Sequence, residues 1–215
     1  MDVAVVGGHG KVALRLLRLL AARGDGARGL IRNLDHASDL EAVGATAVGA
    51  DLENLDADAI ARSIAGCDAV VFAAGAGAGS GAARKRTMDY GGAVKLIDAA
   101  KLDDISRYLI VSAMGAGHPE RWSEQMRPYY DAKAEADREL AASGLDYTIL
   151  RPGRLTDDEG TGKVQAAPEL RAGGEIPRDD VAATLLACLD EPTTIGKTFD
   201  LLSGDTPIAE AITAL

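Results

Sequence analysis

Hydrophobic and polar positions alternate along this chain in a pattern typical of an α/β protein. Short apolar runs are separated by longer stretches in which apolar residues recur at helical spacing. The apolar runs predict strands, at Val3–Val6, Ala27–Ile31, Thr46–Gly49, Ala69–Ala74, Tyr108–Val111, Tyr147–Leu150 and Thr198–Leu202. The longer stretches predict helices, at Lys11–Ala22, Ser38–Val43, Asp56–Ala65, Ala83–Lys101, Tyr129–Ser143 and Asp179–Leu189.

The regular alternation of strands and helices predicts one α/β domain over residues 1–215. Strands joined through helices pair in parallel with right-handed crossovers, so we expect a doubly wound parallel sheet with helices on both faces. Gly44, Gly66 and Gly144 follow predicted helix ends, where glycine is a favoured stop. In such sheets ligands bind beyond the carboxyl ends of the strands, so a site is expected in the loops that follow those ends.

The first predicted strand runs directly into the glycine turn Gly7-Gly8-His9-Gly10. Gly7 permits the sharp bend, and Gly10 lets the backbone approach a phosphate closely. The following helix opens with Lys11 and Val12, and its free N–H groups and partial positive charge face any bound anion. This placement favours a dinucleotide-binding turn over a plain tight turn.

The residues after the second and third strands indicate which dinucleotide binds. The second strand is followed by Arg32-Asn33 rather than by the acidic residue that an NAD site offers to the ribose 2′-hydroxyl. A guanidinium can pair with a 2′-phosphate, so Arg32 favours NADP, with NAD still possible; the alternative is an ordinary surface arginine. Asp51 and Leu52 are placed to contact the adenine, although a simple turn explains them almost as well.

A tyrosine, a lysine and a serine predict chemistry beside the nucleotide. Tyr129 and Lys133 lie four residues apart and share one face of a predicted helix. A phenol has an ordinary pKa of about 10, and a neighbouring ammonium favours the phenolate. We therefore expect Lys133 to lower the pKa of Tyr129 toward neutral pH. Ser112 ends the fifth strand, where its hydroxyl can hold a substrate oxygen beside Tyr129.

Composition narrows the possible partners. The chain has 33 acidic and 23 basic residues and a formal net charge of −10, which argues against a nucleic-acid surface. Cys67 and Cys188 are interpreted as buried small apolar residues. No signal peptide or membrane span is predicted, since the apolar stretch Val12–Ala22 is short and contains arginine. We expect a cytoplasmic monomer or homodimer that binds a small-molecule substrate, with no nucleic-acid or membrane partner.

One glycine-rich segment stands out between the fourth strand and the next helix. Gly75–Ala83 predicts a mobile loop over the ligand face. The cations Arg84, Lys85 and Arg86 follow it. They are interpreted as a solvated first helical turn, in preference to a site for phosphate or an acidic substrate.

The remaining titratable residues are interpreted more simply. His9 is expected to face solvent or to meet a cofactor through its backbone, and His36 and His118 are expected to lie in surface loops. The run Asp157-Asp158-Glu159 is interpreted as a solvated loop. No spacing of Cys, His and Asp predicts a metal site.

The order of these motifs resembles the short-chain dehydrogenase/reductase superfamily. Within it, the chain is similar to the atypical, epimerase-like group of NAD(P)H-binding proteins, which includes NmrA-like and biliverdin-reductase-B-like members. The likeness covers essentially residues 1–205 and implies a single Rossmann-type domain. It rests on Gly7-Gly8-His9-Gly10, Arg32-Asn33, Asp51-Leu52, Ala73-Ala74-Gly75, Asp89-Tyr90-Gly91, Val111-Ser112-Ala113, Tyr129…Lys133 and Tyr147-Thr148-Ile149-Leu150-Arg151-Pro152-Gly153.

The resemblance also implies roles for individual residues. Ser112 would hold the substrate, Tyr129 would act as acid and base, and Lys133 would bond the nicotinamide ribose. The loop Ala73-Ala74-Gly75 would pass under the cofactor. Arg151-Pro152-Gly153-Arg154 would border the nicotinamide carboxamide.

Two departures from the family pattern shape the functional hypotheses. Asp89 stands where the usual catalytic Asn is expected, which weakens the case for a proton relay there. The substrate segment 154–177 is short, which favours a small substrate. The leading hypothesis is an NADP-dependent, epimerase-like oxidoreductase that transfers hydride between nicotinamide and a small carbonyl or hydroxyl substrate. The alternatives are an NmrA-like NADP(H) sensor without chemistry, and a flavin or tetrapyrrole reductase that does not need Tyr129.

Overall fold

A mostly parallel sheet lies at the centre of the computed structural model, which describes residues 1–77 and 79–215. The strands are β1 (Asp2–Val6), β2 (Gly26–Ile31), β3 (Thr46–Gly49), β4 (Ala69–Phe72), β5 (Arg107–Val111), β6 (Asp146–Pro152), β7 (Arg154–Thr156), β8 (Lys163–Ala167), β9 (Glu175–Pro177), β10 (Lys197–Ser203) and β11 (Thr206–Pro207). The helices are α1 (Lys11–Arg23), α2 (Ala37–Glu41), α3 (Ala57–Ile64), α4 (Ala82–Arg84), α5 (Ala93–Leu102), α6 (Arg127–Ala141), α7 (Arg178–Asp190) and α8 (Ile208–Thr213).

The main sheet has the strand order β11-β8-β10-β6-β5-β4-β1-β2-β3, while β7 and β9 pair separately. Every predicted strand is present, and the pairing is parallel from β3 across to β10. The order reverses between β1 and β4, which is the switch point where ligands bind in such sheets. The hydrophobic pattern did not predict β7 and β9, nor β8 and β11, which extend the β10 edge in antiparallel pairing. All four are short and partly exposed, so they lack a continuous apolar run.

Alternate side chains of β1 pack into two hydrophobic layers, one on each face of the sheet. Val3 and Val5 belong to the layer that includes residues of α1 and α7. Ala4 and Val6 belong to the opposite layer, with residues of α3, α5 and α6. The strand is thus buried on both faces, as expected of a central parallel strand. The predicted doubly wound sheet, with helices on both faces, is confirmed.

The single helix predicted over Ala83–Lys101 is wrong. The chain forms the short α4, then a π-helical segment at Lys85–Gly92, and then α5. Such wide turns are frequent at functional sites. Here Asp89 lies within the π-helical segment, is 1% exposed and accepts a hydrogen bond from the Ala76 amide at 3.0 Å.

The loop before this segment also differs from expectation. β4 ends at Phe72 rather than at Ala74, because Ala74 packs against Gly7 instead of continuing the strand. The loop predicted over Gly75–Ala83 contains Ala78, which lies outside the described residues.

The two cysteines are buried free thiols, as predicted. Burial raises the pKa of Cys188 to about 12, so its thiol is unreactive at neutral pH. Within residues 1–77 and 79–215, no helix has the length and hydrophobicity needed to cross a bilayer.

Asp157 connects the start of α1 to the segment after β7 and to α7. Its carboxylate bonds the Lys11 ammonium and accepts from Arg178 Nη1 at 2.9 Å, with Arg15 at 3.9 Å. The hydrogen bond from Lys11 holds the pKa of Asp157 below its ordinary value, and the charges of Arg178, Lys11 and Arg15 lower it further. The next two acidic residues of the loop are exposed. Asp157 is exposed as well, so the solvated-loop interpretation is confirmed, and the ion pairs of Asp157 lie at the surface.

Replacing Gly7 by alanine should destabilise the fold more than replacing Gly24. Both glycines have a positive φ, +81° and +86°, so each alanine costs about 1–2 kcal/mol for a left-handed backbone. A Cβ on Gly7 would lie 2.7 Å from Ala74 Cα, whereas one on Gly24 meets nothing within 4 Å. Because overpacking adds to strain, urea unfolding should show a further loss of about 1–3 kcal/mol for Gly7→Ala. Equal losses in the two variants would contradict this close backbone contact.

Asp157→Asn should lower stability at pH 7 and have no effect in strong acid. The folded pKa of Asp157 lies below the ordinary value of an aspartate, because Lys11 donates a hydrogen bond to its carboxylate. The carboxylate therefore stabilises the fold above that value and loses its contribution as the pH falls through the folded pKa. The difference in Tm from wild type should be constant near neutral pH and shrink in acid. Asp158→Asn, a neighbouring exposed acid, is the control. If the Asp157→Asn difference persisted unchanged in acid, the ion pairs would not be its cause.

Candidate functional site

The first cavity lies beyond the carboxyl ends of β1, β2, β3 and β4 and has a volume of about 350 Å³. Most of the predicted cofactor residues line it: Gly7, His9, Gly10, Arg32, Asn33, Asp51, Leu52, Ala73, Ala74 and Gly75. Gly8, Lys11 and Val12 do not line it. Gly8 packs against Gly29, the Lys11 ammonium bonds Asp157, and Val12 is buried.

The glycine turn and the start of α1 form a cradle of bare backbone. Gly10 caps α1 without a side-chain hydrogen bond, and the first turn of α1 contains no acidic residue. A Cβ on Gly10 would lie 3.0 Å from the Gly7 carbonyl oxygen, so the turn has little room for a side chain here. Free amides and the helix dipole at such an end favour a bound anion. These residues fit the pyrophosphate of a dinucleotide.

Two arginines and a glutamate meet on the wall of the first cavity. Arg32 Nη1 lies 3.6 Å and Arg84 Nε lies 3.3 Å from the same oxygen, Glu53 Oε2. Arg84 lies in the short helical turn α4 and is 40% exposed, as expected of a solvated turn, but it also lines the cavity, where a phosphate could reach it. The two basic residues that follow it do not line the cavity. Two guanidiniums that share one carboxylate leave positive charge available to a phosphate.

Asp51 uses both carboxylate oxygens within its own turn. Oδ1 accepts from the Glu53 amide at 3.1 Å, and Oδ2 accepts from a side-chain amide at 2.9 Å. The simple-turn alternative therefore accounts for this carboxylate, while Leu52 lines the cavity wall. Asn33 also supports a turn, since its Oδ1 accepts from the Asp35 amide at 3.0 Å.

Beside the glycine turn, His9 meets His36 and Asp39, which lie close together in sequence after β2. The rings of His9 and His36 stack with centroids 3.8 Å apart and planes at 6°, and His9 Nε2 lies 2.8 Å from Asp39 Oδ2. Their potential metal-ligand atoms all lie within 4.8 Å of one another, a grouping that sequence spacing did not predict. Because the two rings are nearly parallel, the lone pairs in their planes do not point at one common position. The group is therefore a ring stack in which His9 is also hydrogen-bonded to Asp39. His36 lies partly exposed in the short turn after β2, consistent with its interpretation as a surface-loop residue, and it also lines the first cavity.

The second cavity lies beyond the carboxyl ends of β5 and β6 and has a volume of about 740 Å³. Five predicted site residues line it: Ser112, Tyr129, Pro152, Gly153 and Arg154. His118 lines it as well, with ring nitrogens 3.4 Å from Glu120 and 3.4 Å from Glu169. His118 is a partly exposed loop residue, as predicted, and it also forms part of this cavity wall.

Lys133 and Asp89 form a buried ion pair and line neither cavity. Lys133 Nζ lies 3.3 Å from Asp89 Oδ1 and donates to the Val111 carbonyl oxygen at 3.0 Å. The other Asp89 oxygen accepts from Ala76 in the loop after β4. Buried charges are costly unless they are paired, so this pair fixes that loop relative to α6. Lys133 thus bonds the protein interior, where the resemblance implied a contact to the nicotinamide ribose.

The Tyr129 phenol lies in surroundings that oppose its ionisation. Burial raises the pKa of Tyr129, and Asp89, Tyr130 and Asp137 raise it further. The expected lowering of this pKa is wrong, because burial dominates and the Lys133 ammonium is paired with Asp89. The phenol therefore stays protonated at neutral pH. Such a group suits donation of a proton to a substrate oxygen better than removal of one.

A second buried carboxylate, Asp137, lies one turn beyond Lys133 on the same face of α6. Arg151 Nε and Nη2 each lie 2.9 Å from Asp137 Oδ2. Burial raises the pKa of Asp137, while Arg151, the Ser112 hydroxyl and Lys133 partly offset the rise. Within the described residues, neither Asp137 Oδ1 nor Ser112 Oγ has a hydrogen-bond partner of good geometry. Ser112 lines the second cavity, with its buried hydroxyl beside the Asp137 carboxyl group.

Sequence analysis missed the site contributions of Glu53, Asp137 and the Arg151 side chain. The spacing of Tyr129, Lys133 and Asp137 was a readable signal, because residues i, i+4 and i+8 share a helix face. Glu53 gave no comparable signal, since its place in the cavity depends on the fold around it.

Comparison with known proteins agrees with this geometry. Residues 7–192 match the family model described as NAD(P)H-binding. The chain is 45% identical over 216 residues to the uncharacterized sugar epimerase YhfK of Bacillus subtilis (strain 168), with 100% of both covered. A Bacillus halodurans structure, provisionally named an NAD-dependent epimerase/dehydratase, has a TM-score of 0.95 and 42% identity, with 100% of both chains covered. The anaerobilin reductase ChuY of Escherichia coli O157:H7 has a TM-score of 0.80 and 28% identity, with 95% and 98% covered.

The family match includes the glycine turn, Ser112 and Tyr129, and the high structural similarity extends over the whole chain. The resemblance to the atypical, epimerase-like short-chain dehydrogenases/reductases is thereby confirmed, as is the Rossmann-type fold. The chain belongs to the NAD(P)H-binding family of these proteins.

Proposed function

We propose that this protein is an NADP-dependent oxidoreductase that reduces a carbonyl group held by Ser112 and Tyr129. One observation carries the proposal: two cavities follow the carboxyl ends of neighbouring strands of one sheet. The first has a backbone phosphate cradle, and the second contains Ser112 and a protonated Tyr129. Because β4 and β5 are adjacent, a dinucleotide extended along this edge reaches from one cavity toward the other.

Each part of a nicotinamide dinucleotide has residues suited to it. The amides at the start of α1 suit the pyrophosphate, and Leu52 suits the adenine. Arg32 and Arg84 suit a 2′-phosphate, which favours NADP over NAD. Pro152-Gly153 would border the nicotinamide, which supplies the hydride when the reduced cofactor is bound.

Tyr129 and Ser112 then act on the substrate oxygen. Ser112 Oγ is buried and has no competing partner of good geometry within the described residues, so it can fix the carbonyl oxygen. As negative charge develops on that oxygen, Tyr129 donates its phenolic proton to it. The product is an alcohol, with the new C–H bond at the former carbonyl carbon. The raised pKa of Tyr129 favours this direction, because the proton stays on the phenol until the oxygen becomes basic.

A second candidate is an NADP(H) sensor that changes its affinity for a partner without chemistry. The observation that favours it is the burial of Lys133 against Asp89, which separates Lys133 from the role that the resemblance implies. A third candidate is a reductase of a larger ligand that works without Tyr129. The 740 Å³ second cavity and the likeness to a protein named anaerobilin reductase support it.

NADP⁺ should bind more tightly than NAD⁺ in titration calorimetry, and Arg32→Ala and Arg84→Ala should each reduce that preference. A charge-assisted contact contributes about 1.5–3 kcal/mol, and partial exposure of Arg32 lowers this, so we expect a loss of roughly fivefold to tenfold in NADP⁺ affinity. NAD⁺ affinity should change little. Arg62→Ala, at an exposed arginine of α3, is the matched control. Equal affinity of the wild type for both nucleotides would contradict the assigned role.

Tyr129→Phe should abolish carbonyl reduction while leaving NADPH binding intact. Loss of a positioned general acid costs about 10²–10⁴-fold in rate. The assay follows NADPH absorbance with a panel of aldehydes and ketones, and calorimetry measures NADPH binding. Tyr147→Phe, at a partly buried tyrosine outside both cavities, is the control and should keep its activity.

The outcomes separate the three candidates. Turnover that survives in Tyr129→Phe would contradict the proposed acid and favour a reductase that does not use Tyr129. No turnover with any carbonyl, together with a partner captured only when NADP(H) is present, would favour the sensor.

A further inference from the structure

The wall of the second cavity has a charge opposite to that of the chain. The chain has 33 acidic and 23 basic residues. By contrast, four arginines line this cavity, and Asp200 is the single acidic residue on the described part of its wall. The arginines are Arg121, Arg154, Arg171 and Arg178.

These arginines come from separate parts of the chain. Arg121 ends the short 3₁₀ turn before α6, and Arg154 lies in β7. Arg171 lies between β8 and β9, and Arg178 opens α7. Four guanidiniums from four segments therefore converge on one cavity, which local sequence alone does not produce.

The arginines differ in how far other residues neutralise them. Arg178 bonds Asp157 at 2.9 Å, and Arg154 pairs with Glu175. Arg121 Nε lies 3.5 Å from its exposed sequence neighbour Glu120. Arg171 has no carboxylate within ion-pair distance in the part of the chain that the structure describes. Arg121 and Arg171 are thus the two guanidiniums with most charge available to a ligand.

The acidic residue of the wall, Asp200, already accepts a hydrogen bond from the protein backbone. Asp200 is 4% exposed, and its Oδ2 accepts from the Leu170 amide at 3.0 Å. Because Leu170 adjoins Arg171, this bond holds the segment that carries Arg171 against β10. The carboxylate therefore helps to position a guanidinium in the wall.

The wall of the second cavity contains two kinds of hydrogen-bond donor, neutral hydroxyl groups and charged guanidinium groups. Ser112 and Tyr129 are neutral donors suited to a carbonyl oxygen, whereas the arginines suit an anion. We propose that the substrate is an anionic carbonyl compound whose phosphate or carboxylate binds Arg121 and Arg171 while its carbonyl reaches Ser112. This inference rests on the proposed function of the same cavity. Guanidinium groups match both anions in bidentate geometry, so the chemistry alone does not choose between them.

Matched pairs of aldehydes test the proposal. Glyceraldehyde is compared with glyceraldehyde 3-phosphate, and butyraldehyde with succinic semialdehyde, so each pair differs mainly in an anionic group. Binding is measured by calorimetry on protein saturated with NADP⁺, which fills the first cavity, and turnover is followed with NADPH. We expect the anionic member of at least one pair to bind about tenfold or more tightly than its neutral partner. The pair that shows the preference identifies phosphate or carboxylate as the recognised group.

Substitution of the two available arginines identifies the surface responsible. The double variant Arg121→Ala/Arg171→Ala should lose most of the anion preference, and Arg171→Glu should reverse it. The neutral aldehydes should bind these variants as they bind the wild type. Arg138→Ala, at an exposed arginine of α6 outside both cavities, should leave the preference unchanged.

The failure of this inference differs from failure of the proposed function. Turnover of neutral and anionic aldehydes with equal KM, or a preference that survives in the double variant, would overturn the anion site and leave the oxidoreductase intact. Anion-selective binding without turnover of any member would contradict the reductase and retain the anion site. No selective binding in either pair would overturn the inference outright.

Discussion

The contact between the glycine turn and the strands on either side of β1 is the constraint on which the site depends. Gly7 lies so close to Ala74 that a Cβ would approach its Cα to 2.7 Å, and the Gly7 and Gly8 amides donate to the Leu30 carbonyl oxygen at 3.2 and 2.9 Å. The turn is therefore held by the ends of β2 and β4, without side chains between the backbones. The first amides of α1 remain open, and an anion is what such a helix end binds best.

Around Tyr129 the fold buries two carboxylates, each paired with one cation: Asp89 with Lys133, and Asp137 with Arg151. Removing one partner of a buried ion pair lowers the stability of a fold by about 3–5 kcal/mol, so the first role of these pairs is structural. Their consequence for chemistry is indirect. The carboxylates add to the effect of burial and keep the Tyr129 phenol protonated. The site therefore favours giving a proton over taking one.

The sequence predicted what depends on local pattern. Strand periodicity indicated the doubly wound sheet, and the glycine turn was identified because strand, turn and helix are consecutive. The rest depends on tertiary placement. For Arg84 the sequence favoured a solvated turn over a phosphate site. Its place on the cavity wall depends on the break between α4 and the π-helical segment, which hydrophobic spacing does not reveal. Lys133 was paired with Tyr129 on one helix face, but Asp89, from a different element, proved to be its partner.

The position of the dinucleotide is the central prediction, and a crystal structure of the protein with NADP⁺ would show it. We expect the pyrophosphate on the amides at the start of α1, the 2′-phosphate between Arg32 and Arg84, and the nicotinamide ring facing Tyr129 and Ser112. Nucleotide bound elsewhere, or a first cavity filled by the protein's own side chains in the presence of saturating NADP⁺, would contradict it.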